Sequence, residues 1–109
     1  MERKEFAEKS AEALERLDDA LGDLDFDGLD VQLAGDVLTL AFDDGGKFII
    51  NAHSAARQIW LAAGTEAWHF DFDDASRTWI AKRQGDELCS TIERVVSKKL
   101  GQTISVPRD

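Results

Sequence analysis

The amino-acid sequence predicts an α+β fold, an α–β sandwich in which an antiparallel six-stranded sheet carries an N-terminal and a C-terminal helix on one face. Three observations predict it. Near both ends of the chain, apolar residues recur at intervals of three and four, the spacing of a helix with one buried side. Between them lie short segments that alternate apolar and polar residues or carry apolar runs bounded by turn residues, as strands do. The connections between those segments are of hairpin length, which makes neighbouring strands antiparallel. Two helices with one apolar face each can cover one side of such a sheet, so its other side is left to water.

Taken in order, residues 3–22 form an amphipathic helix whose apolar stripe is Phe6, Ala13, Leu14, Leu17, Leu21 and Leu24. Its opposite face carries Glu8, Glu12, Glu15 and Asp19, a like-charge stripe that disfavours the helix by a few tenths of a kcal/mol per pair. Gly22 is a stop signal. A first strand alternates Leu29, Val31 and Leu33 with Asp30 and Gln32, and a second spans Val37 to Phe42 beyond the turn residues Gly35 and Asp36. Asp43 to Gly46 reads DDGG, a hairpin turn in which glycine accepts positive φ. Lys47 to Asn51 returns from it. The fourth strand holds RQIWLA, Arg57 to Ala62, the fifth WHFDF, Trp68 to Phe72, and the sixth RTWIAK, Arg77 to Lys82. A second helix, about Asp86 to Leu100, turns Leu88, Ile92, Val95 or Val96, and Leu100 inward and ends at Gly101, before an extended tail.

With 109 residues and no linker, repeat or low-complexity segment, the chain is expected to be one domain, 1–109. No apolar run approaches the ~20 residues that span a bilayer, and the acidic N-terminus does not resemble a targeting peptide. A single cysteine, Cys89, excludes an internal disulfide and fits a reducing compartment, so we expect a cytoplasmic protein. The net charge of −9 is unevenly spread. Residues 1–44 carry 14 acids against 4 bases, and residues 45–109 carry 8 acids against 9 bases. An acidic first part repels a phosphate backbone, which argues against nucleic acid and for cations or basic proteins as partners.

Strand phase then raises a question about Trp60. If Ile59 and Leu61 face the helices, Trp60 and Gln58 face water. In the next strand Trp68, Phe70 and Phe72 share one side and His69 and Asp71 the other, which puts His69 on the face of Trp60. We expect the Trp60 indole to be substantially exposed there, close to Gln58 and His69. Exposed aromatics are enriched where partners bury area, although a lone exposed aromatic partly covered by a loop needs no function.

Asn51, the run Gln58 to Ala62 (QIWLA) and the run His69 to Phe72 (HFDF), within a helix–strands–helix order that opens acidic, resemble the bacterial frataxins over about Glu5 to Val106. That family usually writes Asn-x-Gln-x-Pro before a Gln-[Ile/Val]-Trp-Leu-[Ala/Ser] strand. Here His53 stands where glutamine is usual and Ala55 where proline is usual. The resemblance implies a small iron-binding protein of iron–sulfur cluster biogenesis that modulates a cysteine desulfurase and its scaffold protein. It implies an acidic ridge that takes iron weakly and meets a basic patch on the desulfurase, and an exposed sheet that faces the scaffold. The expected partner-binding residues are accordingly Asn51, Gln58, Trp60, His69, Asp19 and Asp23. A monomer is expected, with iron-dependent oligomers as the alternative.

The residues themselves agree with part of this. Glu12, Glu15, Asp18, Asp19, Asp23, Asp25, Asp27 and Asp30 place up to eight carboxylates along the end of the first helix and the entry to the first strand. Carboxylate oxygens suit hard cations, including Fe(III), and accept Fe(II) with little selectivity. Of these residues Glu15, Asp18, Asp19, Asp23, Asp25, Asp27 and Asp30 are the expected surface sites for loosely held iron, with no organic cofactor. The alternative is a solvated acidic face that keeps the protein soluble. Cys89 is expected to be a small core residue of the second helix rather than a nucleophile. His53 and His69 have no serine or cysteine at triad spacing, and Ser54 beside His53 is adjacency only. The chain is therefore expected not to be an enzyme. A ferroxidase, the weakest reading, would lack the Glu-x-x-His pattern common to di-iron sites. An iron-binding regulatory module and an acidic interaction module with incidental metal binding both remain open.

Overall fold

The computed structural model describes residues 1–24 and 28–106. Among them the chain runs α1 (Arg3–Gly22), β1 (Leu29–Ala34), β2 (Val37–Phe42), β3 (Lys47–His53), β4 (Gln58–Ala63), β5 (Glu66–Asp73), β6 (Thr78–Ala81), β7 (Asp86–Glu87) and α2 (Leu88–Leu100). The strands form one antiparallel sheet in chain order from β1 to β7. The expected α+β sandwich is present, with seven strands where six were expected. The added strand is the pair Asp86 and Glu87, which meets Ala81 and Ile80. The second helix consequently starts at Leu88 rather than Asp86, and the Glu87 carboxylate caps it by accepting the N–H groups of Cys89 at 2.7 Å and Ser90 at 3.0 Å.

Alternation along the strands decides the two faces. The inner side carries Leu38, Leu40, Ile50, Ile59, Leu61, Trp68 and Phe70, all at most 2 % exposed. Against them α1 sets Phe6, Leu14, Leu17 and Leu21, and α2 sets Leu88, Ile92 and Val96. Burying each such side chain stabilises the fold by about 1.5–3 kcal/mol, so a one-residue slip of any central strand would turn a stabilising row into solvent. The hairpin after β2 closes as its DDGG sequence predicts, with Gly45 at φ 88° and Phe42 N–H bonded to Gly46 C=O at 2.9 Å.

Gly101 ends α2 at φ 71°, and residues 103–106, which belong to neither helix nor strand, are packed. Ile104 and Val106 are 6 % and 1 % exposed. The Ile104 N–H donates to Ser97 Oγ at 3.0 Å and the Val106 N–H to the Glu93 carboxylate at 2.7 Å, so the tail is bonded to α2 while its side chains join the core. Cys89 is half-buried and packs against that core, in line with its expected role. No helix among the described residues is long and apolar enough to cross a membrane.

Candidate functional site on the acidic helix and the open sheet face

Among the described residues no helix lies over the outer face of the central strands, which leaves a polar and aromatic surface centred on Trp60. Cross-strand register sets Val37, Asn51, Trp60 and His69 in one row over β2 to β5. Residues directly opposite each other in antiparallel strands share a face, so this row belongs to the open side. Asn51, expected as the last residue of the third strand, is a half-buried member of β3, which runs on to His53, and faces Trp60 across the ladder.

Trp60 is flanked on both sides. The His69 ring lies parallel to the indole, 4.3 Å between centroids and 15° between planes. The His53 ring lies on the other side at 4.0 Å and 14°. The indole is therefore half-buried rather than substantially exposed, because two imidazoles occupy the ring faces that solvent would otherwise reach. Its Nε1–H donates to Gln58 Oε1 at 2.8 Å, and the Gln58 amide donates to the Asp71 carboxylate at 3.3 and 3.4 Å. The expected neighbours Gln58 and His69 are both present. His53 was not expected at this site, and Asp71, expected on this face beside His69, was not expected as a partner of Gln58. The β3–β4 register that pairs His53 with Gln58 brings in the first, and the β4–β5 register that pairs Gln58 with Asp71 brings in the second. Beside the indole is a hollow of about 190 Å³ walled by Ile49, Asn51, Trp60, Ala62, Ala67 and His69.

The turn leading into β4 holds this arrangement. The Ala56 N–H donates to His53 Nδ1 at 3.2 Å, and the Arg57 guanidinium reaches the Ser54 carbonyl. Arg57 takes φ 55°, a left-handed conformation unusual for a residue with a Cβ, and this lets four residues close between two paired strands.

The acidic stripe is a separate surface. Glu12, Glu15, Asp19 and Asp23, spaced three and four apart, line one open depression of about 440 Å³ with Arg16 among them. Lys9 lies 4.0 Å from Glu12 at one end of it. Asp18, one residue round the helix, is half-buried, and Asp30 is exposed on β1 opposite Ala41, on the open side of the sheet. The structure thus brings together Glu15, Asp19 and Asp23 of the expected set, with Glu12, and sets Asp18 and Asp30 apart from them. Asp25 and Asp27 lie outside the described residues. Among the described residues, no three His, Cys, Asp or Glu side chains converge closely enough to hold a metal ion. Arg16 inside the stripe is the other feature the sequence reading passed over; its place four residues after Glu12 was the available signal.

These features define a class: a small acidic α–β sandwich whose negative charge is concentrated in its first 44 residues and whose sheet is bare on one side. Residues 1–102 match the frataxin-like domain family model. The chain is 46% identical over 101 residues to an iron–sulfur cluster assembly protein CyaY of Thioalkalivibrio sulfidiphilus, covering 90% of each chain. It is 32% identical over 93 residues to that of Azotobacter vinelandii, covering 85% of this chain and 84% of the relative. Among solved structures it is similar to a frataxin from Psychromonas ingrahamii, with a TM-score of 0.89 at 26% identity over 99% of this chain and 100% of that one. A trimeric frataxin of the yeast Saccharomyces cerevisiae, complexed with ferrous ion, is similar at a TM-score of 0.75 and 28% identity, over 86% of this chain and 87% of the other. The chain belongs to the frataxin-like family.

Proposed function

We propose that the protein serves iron–sulfur cluster assembly as a non-enzymatic modulator, with two working surfaces. The carboxylate stripe takes iron loosely, as a substrate to be delivered or sensed, and meets a basic patch on a cysteine desulfurase. The open sheet face around Trp60 meets the scaffold protein. The observation that carries this reading is the alignment of Glu12, Glu15, Asp19 and Asp23 on an exposed helix face in a chain whose relatives are named for cluster assembly. Open carboxylates without an enclosing cage favour fast, weak and poorly selective binding of hard cations.

A titration with Fe(II) in the absence of oxygen, followed by NMR with and without the desulfurase, tests it. Paramagnetic broadening should centre on Glu12 to Asp30 and should weaken when Asp18, Asp19 and Asp23 are neutralised together, with the fold intact. Broadening centred on His53 and His69 would overturn the assignment. Arg16 supports a second reading, because a guanidinium inside the stripe competes with a cation there. In that reading the ridge is a protein-docking surface and its metal binding is incidental. Desulfurase affinity that falls with salt and ignores iron would select it.

A further inference from the structure

We propose that His53 is a positioning residue for Trp60: with His69 it closes both faces of the indole, so that a partner meets this ring by its edge. The inference rests on the reading of the open sheet as a docking face. The two imidazoles lie within 15° of parallel to the indole on opposite sides, at 4.0 and 4.3 Å. The indole N–H is committed to Gln58, whose amide is oriented in turn by Asp71. His53 is itself held, by the Ala56 N–H that the left-handed turn at Arg57 delivers to its Nδ1. Both torsions of the tryptophan are therefore set before a partner arrives, and a side chain fixed in advance loses less freedom on binding.

The arrangement also selects what can approach. A lysine or arginine from a partner gains by lying over the face of an indole, and here both faces are taken. What remains is the ring edge and the adjoining hollow walled by Ile49, Ala62 and Ala67, surfaces suited to an aliphatic side chain. His53 thus acts through Trp60 rather than as a contact of its own.

The test compares wild type with His53→Ala, His53→Phe and Trp60→Ala, by NMR of the free protein and by affinity for a purified scaffold–desulfurase complex. In the wild type the ring C–H resonances of His53 and His69 should lie upfield, shifted by the indole ring current, and should return to ordinary positions in Trp60→Ala. His53→Ala should move and broaden the Trp60 Nε1–H resonance and weaken partner binding about threefold to tenfold, the range one aromatic pair contributes. His53→Phe should restore both, because a flat ring is what the position requires. An unmoved Trp60 resonance in His53→Ala overturns the proposal. If Trp60→Ala weakens binding while His53→Ala does not, the docking reading stands and the positioning role falls. If Trp60→Ala leaves affinity unchanged, the docking reading itself falls, and this inference with it.

Discussion

Trp60 and Trp68 occupy adjacent strands, one register step apart, on opposite faces of the sheet: Trp60 pairs with His69 and Trp68 with Leu61. Their hydrogen bonds are alike, since Trp68 Nε1–H donates to Asp86 at 3.0 Å and Trp60 Nε1–H to Gln58 at 2.8 Å. What differs is the cover. Trp68 is 2 % exposed beneath the helical layer, and the Arg94 guanidinium caps its ring at 5.7 Å while also reaching Asp86 at 3.4 Å. Trp60 is covered by two imidazoles and no aliphatic layer. A satisfied indole N–H removes a penalty in both places, but only the first ring is surrounded by close-packed carbon. The first tryptophan is therefore a folding residue, and the second a surface prepared for contact.

The largest expected effect is at Trp68. Trp68→Ala should cost about 3–5 kcal/mol, the range for a truncated core tryptophan, which is a third or more of an ordinary total stability of about 5–15 kcal/mol. Urea melts measure this directly. Next is the tail. Ending the chain at Thr103 removes two buried aliphatic side chains, Ile104 and Val106, and uncaps Glu93 and Ser97. The transfer gain of those side chains is largely offset by the entropy of ordering three residues, so the two hydrogen bonds set the expected cost at about 1–3 kcal/mol. A melt that is unchanged after truncation would show that the tail is laid on the core rather than part of it.

Trp60→Ala should separate from both. Two solvent-facing stacks are lost, at about 1–2 kcal/mol in folding, whereas a hot spot in the complex costs about 2 kcal/mol or more in binding. The comparison breaks if Trp60→Ala unfolds the protein as severely as Trp68→Ala, because the outer face would then be a second core.

Much of this contrast was legible in the sequence, and the remainder has identifiable causes. Period-two alternation in QIWLA and WHFDF assigns Trp60 and Trp68 to opposite faces without any coordinates, and three-and-four spacing places α1 to within a residue. β7 was not legible, since two residues carry no period and Asp86 and Glu87 read equally well as the acidic first turn of a helix. The stack of His53 on Trp60 was not legible either. It joins residues diagonal to each other across β3 and β4, so it depends on a turn whose length is set by a left-handed arginine rather than by glycine. Of the acidic set, helical spacing groups Glu12, Glu15, Asp19 and Asp23, but spacing alone does not say that Asp30 belongs to the far side of an edge strand.

The smallest expected effect lies at the rim, where charge rather than cover holds two elements together. Lys99, near the end of α2, donates to the Asp44 carboxylate in the β2–β3 hairpin and passes 5.5 Å over the Phe42 ring. That bond, together with the Gly46 N–H on the same carboxylate at 2.8 Å, holds the Asp44 pKa below the usual carboxylate range. A carboxylate whose pKa is depressed by folding adds stability that is present above its unfolded value, about pH 4, and is lost as pH falls through the folded one. Asp44→Asn should therefore lower the urea midpoint slightly at about pH 7 and by less at about pH 3, below the unfolded pKa of the carboxylate. Lys99→Met keeps the stem against Phe42 and should show a weaker form of the same pH dependence, because Gly46 still favours the ionised carboxylate. A difference between Asp44→Asn and wild type that is the same at both pH values would mean that the hairpin is held by packing on Phe42. The rim would then follow the logic of Trp68 rather than that of an exposed, screened ion pair.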